Sequence, residues 1–361
     1  MRSAVYYGKR DVRFMDRPEP AISEMNNVKI KVRCCGICGS DLEEYYYGPV
    51  VAPVEEHPLT HQKIPFTLGH ELSGQVVEVG PNARNIHVGD WVVCHPVISC
   101  GQCYWCKKGV MCLCEQMACL GLQRDGGFAD YVVVPETNCF PIPRDTDMRV
   151  ITLIEPCATA VRNVRRGQVR FGDNVLILGG GTVGLLTIQT ARLAGAKKIV
   201  VIEINEYRSQ VALELGADAV FDPRTPDLRK KLLEVTGGEG VQVAIECVGK
   251  SESVVLATEL IEKGGNVVLV GICPEPAPIL TRNIARSEIN IYGIHGFDYD
   301  DLRTSIDFIQ SGRINAARLV TKVIPLEQMV EEGLEKLGPN GDRDIKIVVD
   351  MALEGGSHVP V

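Results

Sequence analysis

The sequence lacks any apolar run long enough to cross a bilayer. Its longest, 175–188, is broken by four glycines and falls short of the roughly 20 residues that a spanning helix needs. It reads instead as a buried strand that enters a helix. A block of Lys or Arg is also missing. With 38 basic against 46 acidic residues and a formal net charge of -8, the chain has no basic footprint with which to neutralise phosphates. That argues against nucleic acid and for a small polar substrate. No disordered or repetitive tract stands out. Residues 1–7 carry neither the apolar core nor the small-residue cleavage site of a secretory signal. Export is therefore not expected, and a cytoplasmic setting is.

What is present fits a globular chain with two domains. A length of 361 residues exceeds one ordinary hydrophobic core, and two domains leave room for a cleft. The 36 glycines suit a nucleotide-binding fold. Segments 28–34 and 74–79 are rich in β-branched residues with partial alternation between Gly and Pro punctuation, so the first part of the chain, to about position 150, reads as short antiparallel strands and loops. From Asn174 the pattern becomes strand, glycine turn and helix in repetition: strand 175–178, helix 182–194, strand 198–202, helix 206–215. This alternation marks a parallel, doubly wound sheet. Buried strands are also expected at 241–247 and 266–270, with a helix at 251–261 between them. Beyond Ile291 the pattern is mixed, ending in a strand-like run at 345–349.

Fourteen cysteines in a chain without secretory features point to metal before disulfides. Cys100, Cys103, Cys106 and Cys114 are spaced Cys-x2-Cys-x2-Cys-x7-Cys, and such a short loop can close four thiolates around one tetrahedral centre. A closed structural zinc site is the expected outcome. Reduced or disulfide-linked cysteines, or a four-sulfur iron cluster, are the competing readings. Cys112 lies near enough in sequence to compete with Cys114, while Cys94, Cys119 and Cys139 read as ordinary buried thiols. Outside this lobe, Cys38 in Gly36-Ile37-Cys38-Gly39-Ser40-Asp41 and His70 in Gly69-His70-Glu71 lie in glycine-bounded turns. Taken singly, each could be an ordinary core residue. Together they suggest a second metal with mixed sulfur and nitrogen ligands and an open position. Glu155, before Pro156, reads as a carboxylate at an apolar strand end, where an unpaired charge is costly and a metal would explain it.

Gly179-Gly180-Gly181-Thr182-Val183-Gly184 follows a buried strand and opens a helix. In that setting the glycines have distinct tasks: a tight turn at Gly179, backbone approach to a pyrophosphate at Gly181, and close helix-to-strand packing at Gly184. The helix N-terminus favours the phosphates. Glu203 closes the next strand where a ribose-binding acid is expected; it favours NAD and would repel a 2'-phosphate. A solvated strand-end acid is the bland alternative. Arg208 nearby could neutralise such a phosphate.

The order of Cys38 with Ser40 and Asp41, Gly69-His70-Glu71, the four-cysteine lobe, Gly126-Gly127-Phe128-Ala129-Asp130-Tyr131 and the Gly179 turn resembles the zinc-containing medium-chain dehydrogenase/reductase family over essentially the whole chain. Within it, Glu155-Pro156 and the stretch from Tyr47-Gly48-Pro49 to Pro65-Phe66 are similar to the butanediol and polyol branch. The resemblance implies an α/β protein with a GroES-like (chaperonin-10-like) β-barrel catalytic domain over 1–157, completed by 291–361, and a Rossmann NAD-binding domain over 158–290. It implies two Zn2+ ions per chain. One is catalytic on Cys38, His70 and Glu155, with Glu71 as the alternate ligand; the other is structural on the four-cysteine lobe. It places Thr182, Val183, Val270, Gly271, Ile272, Ile294 and His295 along the cofactor. Ser40 then relays the proton released as an alcohol passes hydride to nicotinamide, and zinc eases loss of that proton. Many relatives have a histidine where Glu43 stands, so the outer relay departs from the pattern. Sorbitol-type relatives have a tyrosine at the Glu44 position and an Arg-Tyr pair near Phe297, both missing here. A vicinal diol or α-hydroxyketone is the expected substrate. Longer polyols, cyclitols and L-threonine are alternatives, and a non-catalytic NAD-binding regulator is the rival from another class. A homodimer or homotetramer is the expected assembly.

Overall fold

The computed structural model describes residues 1–338, 341 and 343–353. The chain divides into two compact units: Met1–Glu155 together with the chain from Ala316 onward, and Pro156–Asn315. Among the described residues, no helix is long and apolar enough to cross a membrane.

The first unit is built on a mixed sheet whose strands run, side by side, Cys139–Ile142, Trp91–Cys94, Glu71–Val79, Asn27–Gly36, Lys346–Asp350 and Val320–Ile324, with Tyr131–Pro135 also paired to Asn27–Gly36. The long strand Asn27–Gly36 shows why. Val28, Ile30 and Val32 are each buried to 3% exposure or less, as the period of two requires for a face turned to a core. Lys29, though almost buried, runs its ammonium out to Glu19 and Glu78, leaving its methylenes to pack. A smaller sheet pairs Arg2–Gly8 with Asp11–Asp16 and Phe66–Thr67. Tyr6, Phe66, Leu68, Leu72 and Phe128 fill the interior with Ile347 and Val349. The late strand does return to this unit: Val348, Val349 and Asp350 pair antiparallel with Gly36, Cys35 and Cys34.

The second unit is a six-stranded sheet, parallel throughout, in the order Ala219–Phe221, Lys198–Ile202, Asn174–Leu178, Val241–Glu246, Ile261–Leu269, Asn290–Gly293. Every residue of Asn174–Leu178 is buried, the signature of a strand covered on both faces by crossover helices. Numbered along the chain this is the 3-2-1-4-5-6 order of a doubly wound dinucleotide fold. Its order reverses between Asn174–Leu178 and Val241–Glu246, where such folds bind ligands.

The structure differs from the sequence expectations in three places. The chain re-enters the first unit at Ala316, not at 291, because Asn290–Gly293 forms the sixth strand beside Ile261–Leu269; its exposed outer face hid it from a buried-strand pattern. The strand expected at 266–270 begins earlier, at Ile261, with a register shift that absorbs Gly264 and Gly265. Glu155 lies not at a strand end but in the first turn of the helix Ile154–Gly167. The following proline is the reason, since its fixed φ and missing N–H suit a helix start.

Candidate active site

Cys38 is the N-cap of the helix Gly39–Tyr47, and Asp41 at the third helical position completes a capping box by accepting the Cys38 N–H at 2.9 Å. The pattern is the Ser-x-x-Glu box in another spelling, and it holds the thiol at a helix start. His70 follows Gly69 at the entry to the strand Glu71–Val79. The ligand atoms of Cys38, His70 and Glu71 lie within 4.8 Å of one another. Space for Glu71 comes from Gly36 on the paired strand, where a Cβ would stand 2.1 Å from Glu71 Oε2.

Around these three donors, the remaining groups take defined places. Ser40 Oγ lies 3.5 Å from His70 Nε2. On the other side of the ring, His70 Nδ1 is 3.8 Å from Asp41 Oδ1, and both atoms are buried without a hydrogen-bond partner. Lys346, from the returning strand, donates to both oxygens of Glu71, at 2.8 and 2.7 Å, and to Ile37 O at 2.7 Å. Glu155 stands outside the 4.8 Å group but within the fields of His70, Glu71 and Cys38; burial pushes its carboxyl up to about 8. Burial also raises the Cys38 thiol to about 12, with Glu71 adding to the effect, and lifts Asp41 to about 6 against the pull of His70.

A thiol, an imidazole and several carboxyls crowded into a desolvated space repel protons poorly and one another strongly. A divalent cation reverses both effects, because it binds the deprotonated forms. The unpartnered buried His70 and Asp41 atoms and the soft-plus-nitrogen donor set fit zinc with a position left over. Cys38, His70 and Glu71 or Glu155 would hold it. The carboxylate of Asp41 behind the imidazole is the second partner that ligating histidines ordinarily have. Asp41 and Lys346 escaped the sequence reading as site residues. The Cys-x-x-Asp capping pattern could have revealed the first, whereas no local signal marks the second.

The four-cysteine lobe closes as its spacing implies. The sulfur atoms of Cys100, Cys103, Cys106 and Cys114 lie within 4.8 Å of one another, with Cys103 to Cys106 at 3.5 Å and Cys100 to Cys106 at 4.0 Å. Four sulfurs about 2.3 Å from a zinc stand about 3.8 Å apart, so the lobe fits the metal. None of the fourteen cysteines is in a disulfide. Backbone N–H groups of Cys106 and Glu115 hold the Cys103 thiol down to about 6, toward the thiolate that binds metal. Cys112 is buried apart from the group. Cys94 and Cys139 face each other across paired strands. Cys119 is not an ordinary core thiol. It lies in the fields of Glu155, Asp41 and Cys38, where burial raises it far above its usual value.

In the second unit the glycine turn has the expected geometry. Gly179 adopts φ +99, a left-handed conformation that favours glycine. A Cβ at Gly184 would lie 1.9 Å from Gly179 O, whereas one at Gly181 would meet nothing within 4 Å, so open space faces the residue assigned to pyrophosphate approach. Thr182 and Val183 begin the helix Thr182–Leu193. Glu203 accepts from Gly180 N at 2.5 Å, Ile204 N at 2.7 Å and Asn205 N at 2.8 Å, which fixes a carboxylate beside the turn. Arg208 lies against Gly180. Val270, Gly271 and Ile272 follow the strand Ile261–Leu269, and Ile294 and His295 follow Asn290–Gly293, all at strand C-terminal ends. Sequence reasoning missed Glu246. It is fully buried, with Oε1 accepting from Val248 N, Gly249 N and Ser253 Oγ, while Oε2 has no partner.

Residues 24–144 match the family model "Alcohol dehydrogenase GroES-like domain", and residues 182–311 match "Zinc-binding dehydrogenase". The chain is 39% identical to (R,R)-butanediol dehydrogenase of Bacillus subtilis, over 93% of this chain and 96% of that one. It is 34% identical to L-threonine 3-dehydrogenase of Pyrococcus furiosus, over 93% of both. The crystal structure of 2R,3R-butanediol dehydrogenase from Bacillus subtilis superimposes with a TM-score of 0.89 at 38% identity, covering 97% of this chain and 99% of that chain. With the closed four-thiol lobe, the mixed donor cluster and the dinucleotide fold already in place, these matches make the chain a member of the zinc-binding alcohol dehydrogenase family, a two-domain oxidoreductase that uses zinc and a nicotinamide dinucleotide.

Proposed function

We propose that the chain interconverts a vicinal diol and its α-hydroxyketone with NAD as hydride carrier. The observation that carries the reading is the convergence of Cys38, His70 and Glu71 beside Glu155, Ser40 and Asp41. When bound there, zinc supplies the charge that makes an alcohol proton easier to lose. The chain's own residues do the rest. Asp41 orients His70, and Ser40 Oγ, at the edge of the donor group, takes the departing proton. Glu43 carries it onward; burial and the neighbouring Glu44 raise its carboxyl, which favours a group that can hold a proton. Glu44 takes no part in the relay, because its oxygens are occupied by backbone amides.

NAD is preferred over NADP because Glu203 presents a fixed carboxylate beside the turn and repels a 2'-phosphate. Arg208 accompanies it without reversing the preference. The similarity to a butanediol dehydrogenase supports the diol, and the absence of a sorbitol-type tyrosine at Glu44 disfavours longer polyols. L-threonine is the second reading, supported by the 34% identity noted above. We also infer a homodimer or homotetramer. The strand Asn290–Gly293 leaves an open, mostly exposed edge, with Ile272, Leu280 and Ile291 exposed nearby in sequence, and such edges are usually covered. A cytoplasmic setting accords with a four-thiol cluster in place of disulfides.

The direct test follows absorbance at 340 nm with NAD or NADP over a panel of diols, polyols and L-threonine, with and without a chelator. The expected result is chelator-sensitive NAD reduction, fastest with a vicinal diol. No response to any secondary alcohol would overturn the reading. Glu43→Gln is expected to shift the pH dependence of turnover, and an unaltered profile would remove Glu43 from the relay.

A further inference from the structure

The segment between Tyr47 and Thr60 displays three exposed valines, Val50, Val51 and Val54, yet its backbone is held from two sides. Glu44, buried to 1% exposure, accepts hydrogen bonds from Val50 N at 3.0 Å, Val51 N at 2.6 Å and Ala52 N at 3.0 Å, and from the Tyr6 hydroxyl at 3.2 Å. Three successive amides around one carboxylate form a nest that takes the place of water around it, and each donor left without an acceptor would cost stability. This fixes the start of the loop.

The second tether is Gln123. Its Nε2 donates to Val51 O at 3.0 Å, its Oε1 accepts from Cys119 N at 2.9 Å, and its backbone carbonyl accepts from Thr60 Oγ1 at 2.6 Å. Cys119 is the residue whose thiol lies in the fields of Glu155, Asp41 and Cys38. A single amide side chain therefore links the valine-bearing loop to the backbone beside the donor cluster. Glutamine suits this position because it offers one donor and one acceptor at the same end of the side chain. Glu or Ala cannot provide both.

We propose that Gln123 is a specificity-determining residue: by tying Val51 to Cys119 it sets how far the 48–60 loop stands from the reaction centre and so the size of alcohol admitted. The inference rests on the reading of the Cys38 and His70 cluster as that centre. The hydrogen bonds of Gln123 go to Val51, Cys119 and Thr60, so it acts on substrate through the loop. A compact diol gains from a loop held close, and a longer polyol is shut out by it. Discrimination by substrate size alone is worth about 10–200-fold.

The test uses the full-length, zinc-loaded protein and two variants. Gln123→Ala removes both bonds of the side chain, and Gln123→Glu keeps the acceptor for Cys119 N but loses the donor to Val51 O. For each, KM and kcat are measured for a four-carbon vicinal diol and a six-carbon polyol, with zinc content, NADH affinity and amide exchange at Val51 and Ala52 as controls. In both variants the kcat/KM ratio of diol over polyol is expected to fall by about tenfold, mainly through KM. Zinc content and NADH affinity should stay unchanged while exchange at Val51 and Ala52 quickens. An unaltered ratio in a variant whose loop exchanges faster would overturn the proposal, as would exchange that does not change. If the parent protein oxidises no diol, the diol reading fails by itself, and the ratio is then taken between whichever two alcohols of unequal size it does oxidise.

Discussion

Replacing Lys346 with methionine should destabilise the first unit severely, and the structure gives the size of the effect. The Lys346 side chain is 2% exposed and that of its partner Glu71 is fully buried. Three acceptors share it: both Glu71 oxygens and Ile37 O. Burial by itself would lower the Lys346 ammonium, but Glu71, Cys38 and Glu155 more than reverse this and raise it, so it stays charged. Methionine fills a similar volume and removes the charge, leaving Glu71 buried without a counter-ion. Breaking one side of such a pair costs about 3–5 kcal/mol, which for a unit of this size lowers Tm by about 2–4 °C per kcal/mol, or about 6–20 °C in all. The assay is denaturant unfolding of the metal-free protein, followed by a fluorescence probe in the first unit.

The double variant Lys346→Met with Glu71→Gln separates the causes. With no charge left at either position, it should recover more than half of the loss, because the cost lies in the orphaned carboxylate and not in the missing contacts. Zinc offers a second check. A Glu71 released from Lys346 is free to serve as a ligand, so saturating zinc should stabilise Lys346→Met more than it stabilises the parent. A loss below about 1 kcal/mol, or a double variant no better than the single one, would refute the claim that this ion pair holds the site.

Cys106→Ser should leave the protein with one zinc fewer per chain by metal analysis while NADH affinity persists, because the lobe belongs to the first unit and the dinucleotide fold to the second; unchanged metal content would exclude the four-thiol site. Gly184→Ala places a Cβ 1.9 Å from the backbone oxygen of Gly179, so the turn must open. NADH affinity measured by fluorescence should fall by more than about tenfold, with a stability loss of about 1–3 kcal/mol; an alanine variant that binds normally would contradict the tight helix-to-strand packing. Asp218 gives a pH prediction. Burial would raise its carboxyl, but Lys198, the Ile199 N–H and Arg192 together lower it below the ordinary 3.8. Its contribution is therefore complete above that ordinary value and is lost as pH falls through the lower folded value. The stability gap between parent and Asp218→Asn, about 1 kcal/mol near neutrality, should shrink below about pH 4 in urea titrations, and a gap that widens there would reverse the sign.

Much of the chemistry was legible locally. The four cysteines close within one short loop, where little chain entropy opposes their meeting, so spacing alone was informative. The Gly179 turn reads equally well because the strand, turn and helix are contiguous, and the turn's demands fall on single residues such as Gly184. Other features depended on partners distant in the chain. Glu155 looked like a strand end because its neighbours are apolar, but Pro156 starts a helix there. Glu44 entered the sequence reading as the place of a missing tyrosine, and the fold brings the amides of Val50, Val51 and Ala52 around it.

The donors of both proposed metal sites and the phosphate turn were determined by the sequence, since residue type and short spacing decide what can ligate and what backbone can approach. Tertiary structure decided which carboxylate stands where. Lys346 reaches Glu71 across 275 positions, because the chain leaves the first unit, completes a six-stranded sheet and returns to pair with the strand that carries Gly36. No local pattern encodes that return, or the tie from Gln123 to Cys119 and Val51. These depend on strand order and register, and sequence periodicity constrains those only by which face is buried.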